Sequence, residues 1–217
     1  MASRPKQAEP RPQPRLYLVT PRVADAQAFH APLTEALATG DVAAVLLRLA
    51  DADERTQINL AKALVAVTQP KDVALLLDGH AELVARAGCD GAHLTGIDAF
   101  NAALGTLKPD RIVGVGGLAS RHDAMVAAEA GADYLMFGEP DDGGARPAFD
   151  AIEERIAWWA EVFEIPCVGY AAASDEVAPL AKAGADFVAL GDWLWRQDAA
   201  KAVAEAASHL RLPETAA

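Results

Sequence analysis

The stretch AGCDGAHL at residues 87–94 recurs, altered, as AGADYLMFG at 130–138 and AGADFVALG at 183–191. In each copy a glycine sits where an Ala-rich segment stops, a position at which a left-handed residue closes a helix with little strain. An aspartate and a short apolar run follow. Each copy is therefore a helix end, a turn and a strand start. Working outward, short aliphatic and β-branched runs alternate with longer amphipathic segments. The strand candidates are 16–20, 42–48, 73–77, 91–94, 112–115, 134–137, 167–170 and 187–190, and the helical candidates are 25–38, 53–67, 79–87, 97–107, 121–130, 149–163, 174–183 and 199–210. Strands separated by helices pair in parallel through right-handed crossovers, and near-uniformly apolar strands are covered on both faces. Eight such units in about 200 residues predict a single (β/α)₈ TIM barrel rather than an open sheet. The aspartates Asp90, Asp133 and Asp186 then lie at the bottom of the barrel, where their role is structural.

Hydrophobic residues make up 52% of the 217-residue chain and charged residues 23%, which suits one domain with a large core. The formal net charge of −12 argues against nucleic acid and anionic membrane as partners, because nothing general would attract a polyanion. No apolar stretch reaches the roughly 18 residues of a membrane span. Cys89 and Cys167 fall in apolar runs and read as buried free thiols, in keeping with a reducing, cytoplasmic location. Residues 1–14, rich in proline and charge, read as a disordered leader, 15–212 as the barrel, and 213–217 as a flexible tail.

Barrel chemistry occurs where strands end, so the residues just after each strand are the candidates. They include Thr20, Arg48, Asp78, Gly79, His80, His93, Asp98, Gly116, Gly117, Gly138, Gly169, Gly191 and Asp192. Asp78 and Asp98 either share a divalent cation through oxygen ligands or cap helices. His93 is either a buried, hydrogen-bonded histidine or a catalytic one, and His80 either a pocket residue or a first-turn helix residue. The pairs Gly116–Gly117 and Gly143–Gly144 can offer backbone N–H groups to an anion. Arg146, the one cation of loop 138–147, either reaches a phosphate or pairs with Asp141 or Asp142.

These strand ends resemble the thiamine-phosphate synthase and thiazole tautomerase family. The resemblance runs over nearly the whole chain, through RLYLVT at 15–20, VLLRL at 45–49, AGCDGAHLTGID at 87–98, AAEAGADYLMFGEP at 127–140 and AGADFVALGDWL at 183–194. It implies a transferase that joins a hydroxymethylpyrimidine diphosphate to a thiazole phosphate and releases pyrophosphate, with Mg²⁺ and basic side chains on the departing charge. On that basis Arg48, His80 and Arg146 are the candidate catalytic residues. Thr20, Arg48, His93, Gly116, Gly117, Gly138, Gly169 and Gly191 are the candidate substrate contacts, and Asp78 and Asp98 the candidate Mg²⁺ ligands.

Several family positions are replaced. Of the polar residues in the family's Gln-Leu-Arg-Glu-Lys run, only Arg48 remains within Leu46–Ala50. The Asn-Asp pair after the third strand is Asp78–Gly79, the Ser-Thr-His after the fifth is Gly116–Leu118, and the Gly-Gly phosphate nest after the seventh is Ala171–Ala172. The Val-Ser nest after the eighth is Gly191–Asp192. An aspartate about 4 Å from a phosphate costs on the order of 4 kcal/mol at an effective dielectric near 20, roughly a thousandfold in affinity. These replacements predict a diverged member without ordinary synthase activity, binding or converting a related small molecule at the C-terminal face. An active synthase, and a non-catalytic binding or interaction module, are the alternatives. A cofactor is expected only for an active enzyme, as Mg²⁺, and a homodimer is compatible with an acidic barrel of this size.

Overall fold

The computed structural model describes residues 12–210. Eight strands close in sequence order into an all-parallel barrel. They are β1 (Arg15–Val23), β2 (Val42–Leu49), β3 (Ala74–Asp78), β4 (Gly91–Thr95), β5 (Ile112–Gly116), β6 (Tyr134–Phe137), β7 (Cys167–Ala171) and β8 (Phe187–Leu190). The outer ring is α1 (Ala26–Ala36), α2 (Glu54–Thr68), α3 (Val84–Ala87), α4 (Ile97–Leu107), α5 (Arg121–Glu129), α6 (Phe149–Val162), α7 (Val177–Ala183) and α8 (Ala199–His209). This is the (β/α)₈ TIM barrel expected. The readings of a leader at 1–14 and a tail at 213–217 fall largely outside the described residues.

The repeated turn does one job three times. Gly88, Gly131 and Gly184 all adopt positive φ. The aspartate two residues on reaches across to the preceding strand and accepts from a main-chain N–H at its start: Asp90 from Leu75 at 2.7 Å, Asp133 from Val113 at 2.7 Å, Asp186 from Cys167 at 2.8 Å. Each carboxylate thus satisfies a strand donor that the ladder would leave unpaired. Asp41 opens β2 in the same place but binds the Arg15 side chain instead.

Side-chain alternation along the strands makes two cores. One lies between barrel and helices and includes Leu16, Leu47, Leu77, Phe100, Ile156 and Trp159. The other fills the barrel interior with Tyr17, Val19, Leu46, Leu76, Tyr134, Met136, Val168 and Tyr170.

Two elements differ from expectation. The helix expected over 79–87 shrinks to a 3₁₀ turn at 81–83 and the four-residue α3. Gly79 and His80 both have positive φ, a conformation that cannot enter a right-handed helix. β1 runs three residues beyond Thr20, past a register break between Val19 and Arg22. Among the described residues no helix is long and apolar enough to cross a membrane.

Candidate active site

Two adjoining cavities open at the C-terminal ends of the strands. The larger, about 630 Å³, is lined by residues including Arg22, Arg48, Asp78, His80, His93 and Tyr170. The smaller, about 430 Å³, is bordered by Leu118, Gly138, Arg146 and Arg155. Thr95, Met136, Glu139, Pro140 and Asp141 belong to both walls. Volumes of this order suit metabolite-sized ligands.

Arg48 stands at the end of β2 with carboxylates on two sides. Its Nε lies 3.5 Å from Asp78 Oδ2 and its Nη1 donates to Asp192 Oδ1 at 3.0 Å. Thr20, expected to touch substrate, is fully buried and holds this arginine instead. Its hydroxyl accepts from Arg48 N at 3.0 Å and donates to Pro21 O at 2.8 Å, bridging the register break.

Three of the four strand-end anion positions hold one of the chain's own carboxylates. The Gly117 N–H donates to Glu139 Oε1 at 2.6 Å. Gly143 N and Ala145 N donate to Asp141 Oδ1, so that glycine pair forms a local turn. Arg146 pairs with Glu176 rather than Asp141 or Asp142: Nη1 lies 3.0 and 2.9 Å from its two oxygens, and Nη2 donates to Tyr170 O. Glu176 Oε2 also accepts from Ala172 N at 2.8 Å.

The glycines divide by face. A Cβ on Gly116 would meet Glu139 and His93, and one on Gly191 would meet the Tyr170 hydroxyl, so both look inward. Gly169 faces Ile156 and Leu180, and Gly138 faces Ile152. Their missing side chains serve helix packing, not a ligand in the barrel mouth, although Gly138 still borders the smaller cavity. His80 lies on the larger cavity wall with Nδ1 3.5 Å from Glu82. Asp98 is exposed in the first turn of α4, whose N-cap is Gly96. Asp78 thus lines the larger cavity while Asp98 does not, and neither caps a helix through its side chain. Among the described residues no group of three or more His, Cys, Asp or Glu is gathered to hold a metal.

A polar chain runs through the barrel interior into the larger cavity. Tyr17 Oη lies 2.8 Å from Tyr134 Oη, which lies 3.0 Å from His93 Nδ1. His93 Nε2 is 3.9 Å from Glu139 Oε1. Burial pushes both phenols well above the usual tyrosine range, so both keep their protons. Tyr170 is raised as well, first by burial and then by the charge of Asp192. Sequence reasoning did not single out Glu139 or Glu176. Glu139 directly follows Gly138 after β6, a strand-end position that the barrel rule covers. Glu176 lies five residues past its strand, too far for that rule.

A model of the thiamine monophosphate synthase family matches residues 16–193. The chain belongs to that family. Thiamine-phosphate synthase from Rhodospirillum centenum is 43% identical over 195 residues, 88% of this chain and 94% of the relative. The one from Hyphomonas neptunium is 37% identical over 206 residues, 91% and 93% of the two chains. The structure of a thiamine phosphate pyrophosphorylase from Pyrococcus furiosus shares the fold, with a TM-score of 0.75 at 24% identity, covering 91% of this chain and 96% of that one.

The expectation of a diverged family member without ordinary synthase activity is corrected by these relatives. Curated synthases at 37–43% identity over most of the chain favour an active synthase. Asp192 does not stand as a bare negative charge toward a phosphate: its carboxylate lies against the Arg48 guanidinium and is 43% exposed to water.

Proposed function

We propose that the cavities at the C-terminal face form a thiamine-phosphate synthase active site. There an aminopyrimidine diphosphate and a thiazole phosphate are joined and pyrophosphate leaves. The bond from the pyrimidine methylene to the diphosphate oxygen breaks, its electron pair departs with pyrophosphate, and the thiazole nitrogen supplies the pair for the new C–N bond. The observation that carries this reading is Arg48, a strand-end cation set between Asp78 and Asp192 on the cavity wall of a barrel 43% identical to a curated synthase. Two adjoining cavities also suit a reaction with two substrates.

Arg48 takes the role of holding the departing diphosphate, where fixed donors aimed at developing charge are most effective. Arg146 takes the thiazole phosphate side, bordering the smaller cavity with Arg155. His80 contributes from the larger cavity's rim. The donor chemistry fits Mg²⁺: Asp78 is a hard oxygen ligand whose nearest cation is as far as 3.5 Å, and Mg²⁺ is ordinarily held by one or two carboxylates plus substrate phosphates and water. Asp98 would join only through a longer reach from α4. Bound there, Mg²⁺ would offset the charge that gathers on pyrophosphate as it leaves. The same reading carries small-molecule substrates, a cytoplasmic location and a homodimer.

The test mixes both substrates with Mg²⁺ and follows pyrophosphate release. Turnover is expected, with Arg48→Ala lowering kcat/KM by roughly 10²–10³. No release at any Mg²⁺ concentration would overturn the proposal.

A further inference from the structure

Glu139 and His93 flank the bare inward face of Gly116. A Cβ on that glycine would lie 1.6 Å from Glu139 Oε1 and 2.9 Å from His93 Nε2, so both groups reach the larger cavity across a stretch of backbone with no side chain. Glu139 Oε1 accepts from Gly117 N. Its second oxygen has no hydrogen bond among the described residues, and neither has His93 Nε2, although the His93 side chain is only 3% exposed. The ring nitrogen is not sealed in the core: it opens on the cavity wall, where a ligand can meet it.

With the ring neutral, one donor order along the interior chain leaves neither phenol without an acceptor. Tyr17 and Tyr134 are neutral and have one proton each. Each phenol finds an acceptor within the chain if Tyr17 donates to Tyr134 and Tyr134 donates to His93 Nδ1. The imidazole proton is then on Nε2. The wall therefore presents a carboxylate beside an N–H donor, the donor 3.9 Å from the oxygen held by Gly117 and the second oxygen left to accept.

We infer that Glu139 and His93 read the amine-bearing edge of the pyrimidine substrate, Glu139 accepting from the exocyclic amine and His93 Nε2 donating to the adjacent ring nitrogen. The inference rests on the proposed synthase reading for its substrate class. An aminopyrimidine offers a donor next to an acceptor, the converse of the wall. A pyrimidinone, with an oxo group in place of the amine, sets an acceptor against the carboxylate and is rejected.

A purely structural Glu139 would only satisfy the Gly117 amide, and glutamine does that equally well. In Glu139→Gln the amide oxygen stays on Gly117 N, and the NH₂ takes the place of the free carboxylate oxygen. An acceptor becomes a donor at one atom, and only ligand preference reports it.

The experiment titrates the full-length protein and E139Q with two neutral probes, 4-amino-5-hydroxymethyl-2-methylpyrimidine and its 4-oxo analogue. Pyrophosphate release from the diphosphate is followed in parallel. The wild type is expected to prefer the amine. E139Q should lose about 10- to 100-fold in amine affinity, the scale of a hydrogen bond to a charged group, and gain for the oxo analogue at an unchanged melting temperature. Equal binding of both probes by the wild type overturns the inference, as does an unchanged ratio in E139Q, and in either case active turnover leaves the synthase proposal standing. Amine preference reversed by E139Q without any pyrophosphate release supports the inference and removes the synthase reading instead.

Discussion

Arg48 gathers interactions from three other strands. Thr20 of β1 holds its main chain, Asp78 ends β3, and Asp192 follows β8. Of its two carboxylates Asp192 is the closer and the more exposed. A partly hydrated pair of this kind contributes at most about 1 kcal/mol to folding, yet it competes directly with any phosphate that seeks the same guanidinium. Asp192→Asn removes the competing charge and leaves Asp78 in place. Calorimetric titration with Mg²⁺ and pyrophosphate should show affinity raised about tenfold in this variant, with the melting temperature moved by no more than a few degrees. Unchanged or weaker pyrophosphate binding would show that Asp192 does not restrain Arg48.

At the scale of the element, β5 shows how a strand can shape a site by what it lacks. Gly114 and Gly116 both face inward. The Tyr134 ring fills the space over Gly114, where a Cβ would lie 1.9 Å from Cζ, and the Glu139 carboxylate lies over Gly116. The two glycines should respond differently to alanine. A ring packed inside a barrel cannot move aside, so Gly114→Ala should destabilise by about 3 kcal/mol, at the upper end for overpacking. Over Gly116 the first atoms met are the end of the flexible Glu139 side chain, with His93 Nε2 next at 2.9 Å, so Gly116→Ala should cost less stability than Gly114→Ala and shift ligand affinity as well. Urea denaturation of both variants reads the difference, and equal losses would contradict the assignment. The elements themselves were legible because apolar runs and Gly-x-Asp turns are local signals. The fold therefore followed from AGCDGAHL and its two relatives, with errors confined to places such as Gly79–His80 where backbone handedness overrides composition. Side-chain partnerships in the site were not legible. Nothing in the sequence pairs Arg146 with Glu176, thirty residues on, or lays Glu139 over Gly116, because those meetings are made by closing the barrel. Glycines were the most ambiguous signal: Gly116 and Gly169 look alike in the sequence and face opposite sides of the sheet.

The whole molecule separates its acids by strength. Its carboxylates outnumber its lysines and arginines, which gives the net charge of −12. The weak acids Tyr17, Tyr134 and Cys89 are sealed in the two cores. Burial pushes the Cys89 thiol up to about 12, and the nearby Asp90 adds to the effect. The two phenols are raised beyond the usual range by burial. Below about pH 8 all three groups are protonated whether the chain is folded or not, so they give stability no pH dependence there. Above the ordinary thiol pKa the unfolded chain releases the Cys89 proton and the folded chain keeps it, which favours unfolding. The slope is about 1.4 kcal/mol per pH unit for each such group, beginning near pH 9 for Cys89 and near pH 10 for the tyrosines, and for Cys89 it ends near pH 12. Melting temperature should therefore stay level from pH 7 to 8, begin to fall near pH 9 and fall steeply above 10. Lysines also lose charge in that range and increase self-repulsion, so the decisive measurement is a comparison. Tyr17→Phe deletes one titrating phenol and leaves every lysine in place. Its stability should fall less steeply than that of the wild type above pH 10, and parallel curves would mean that the buried phenol does not control alkaline unfolding.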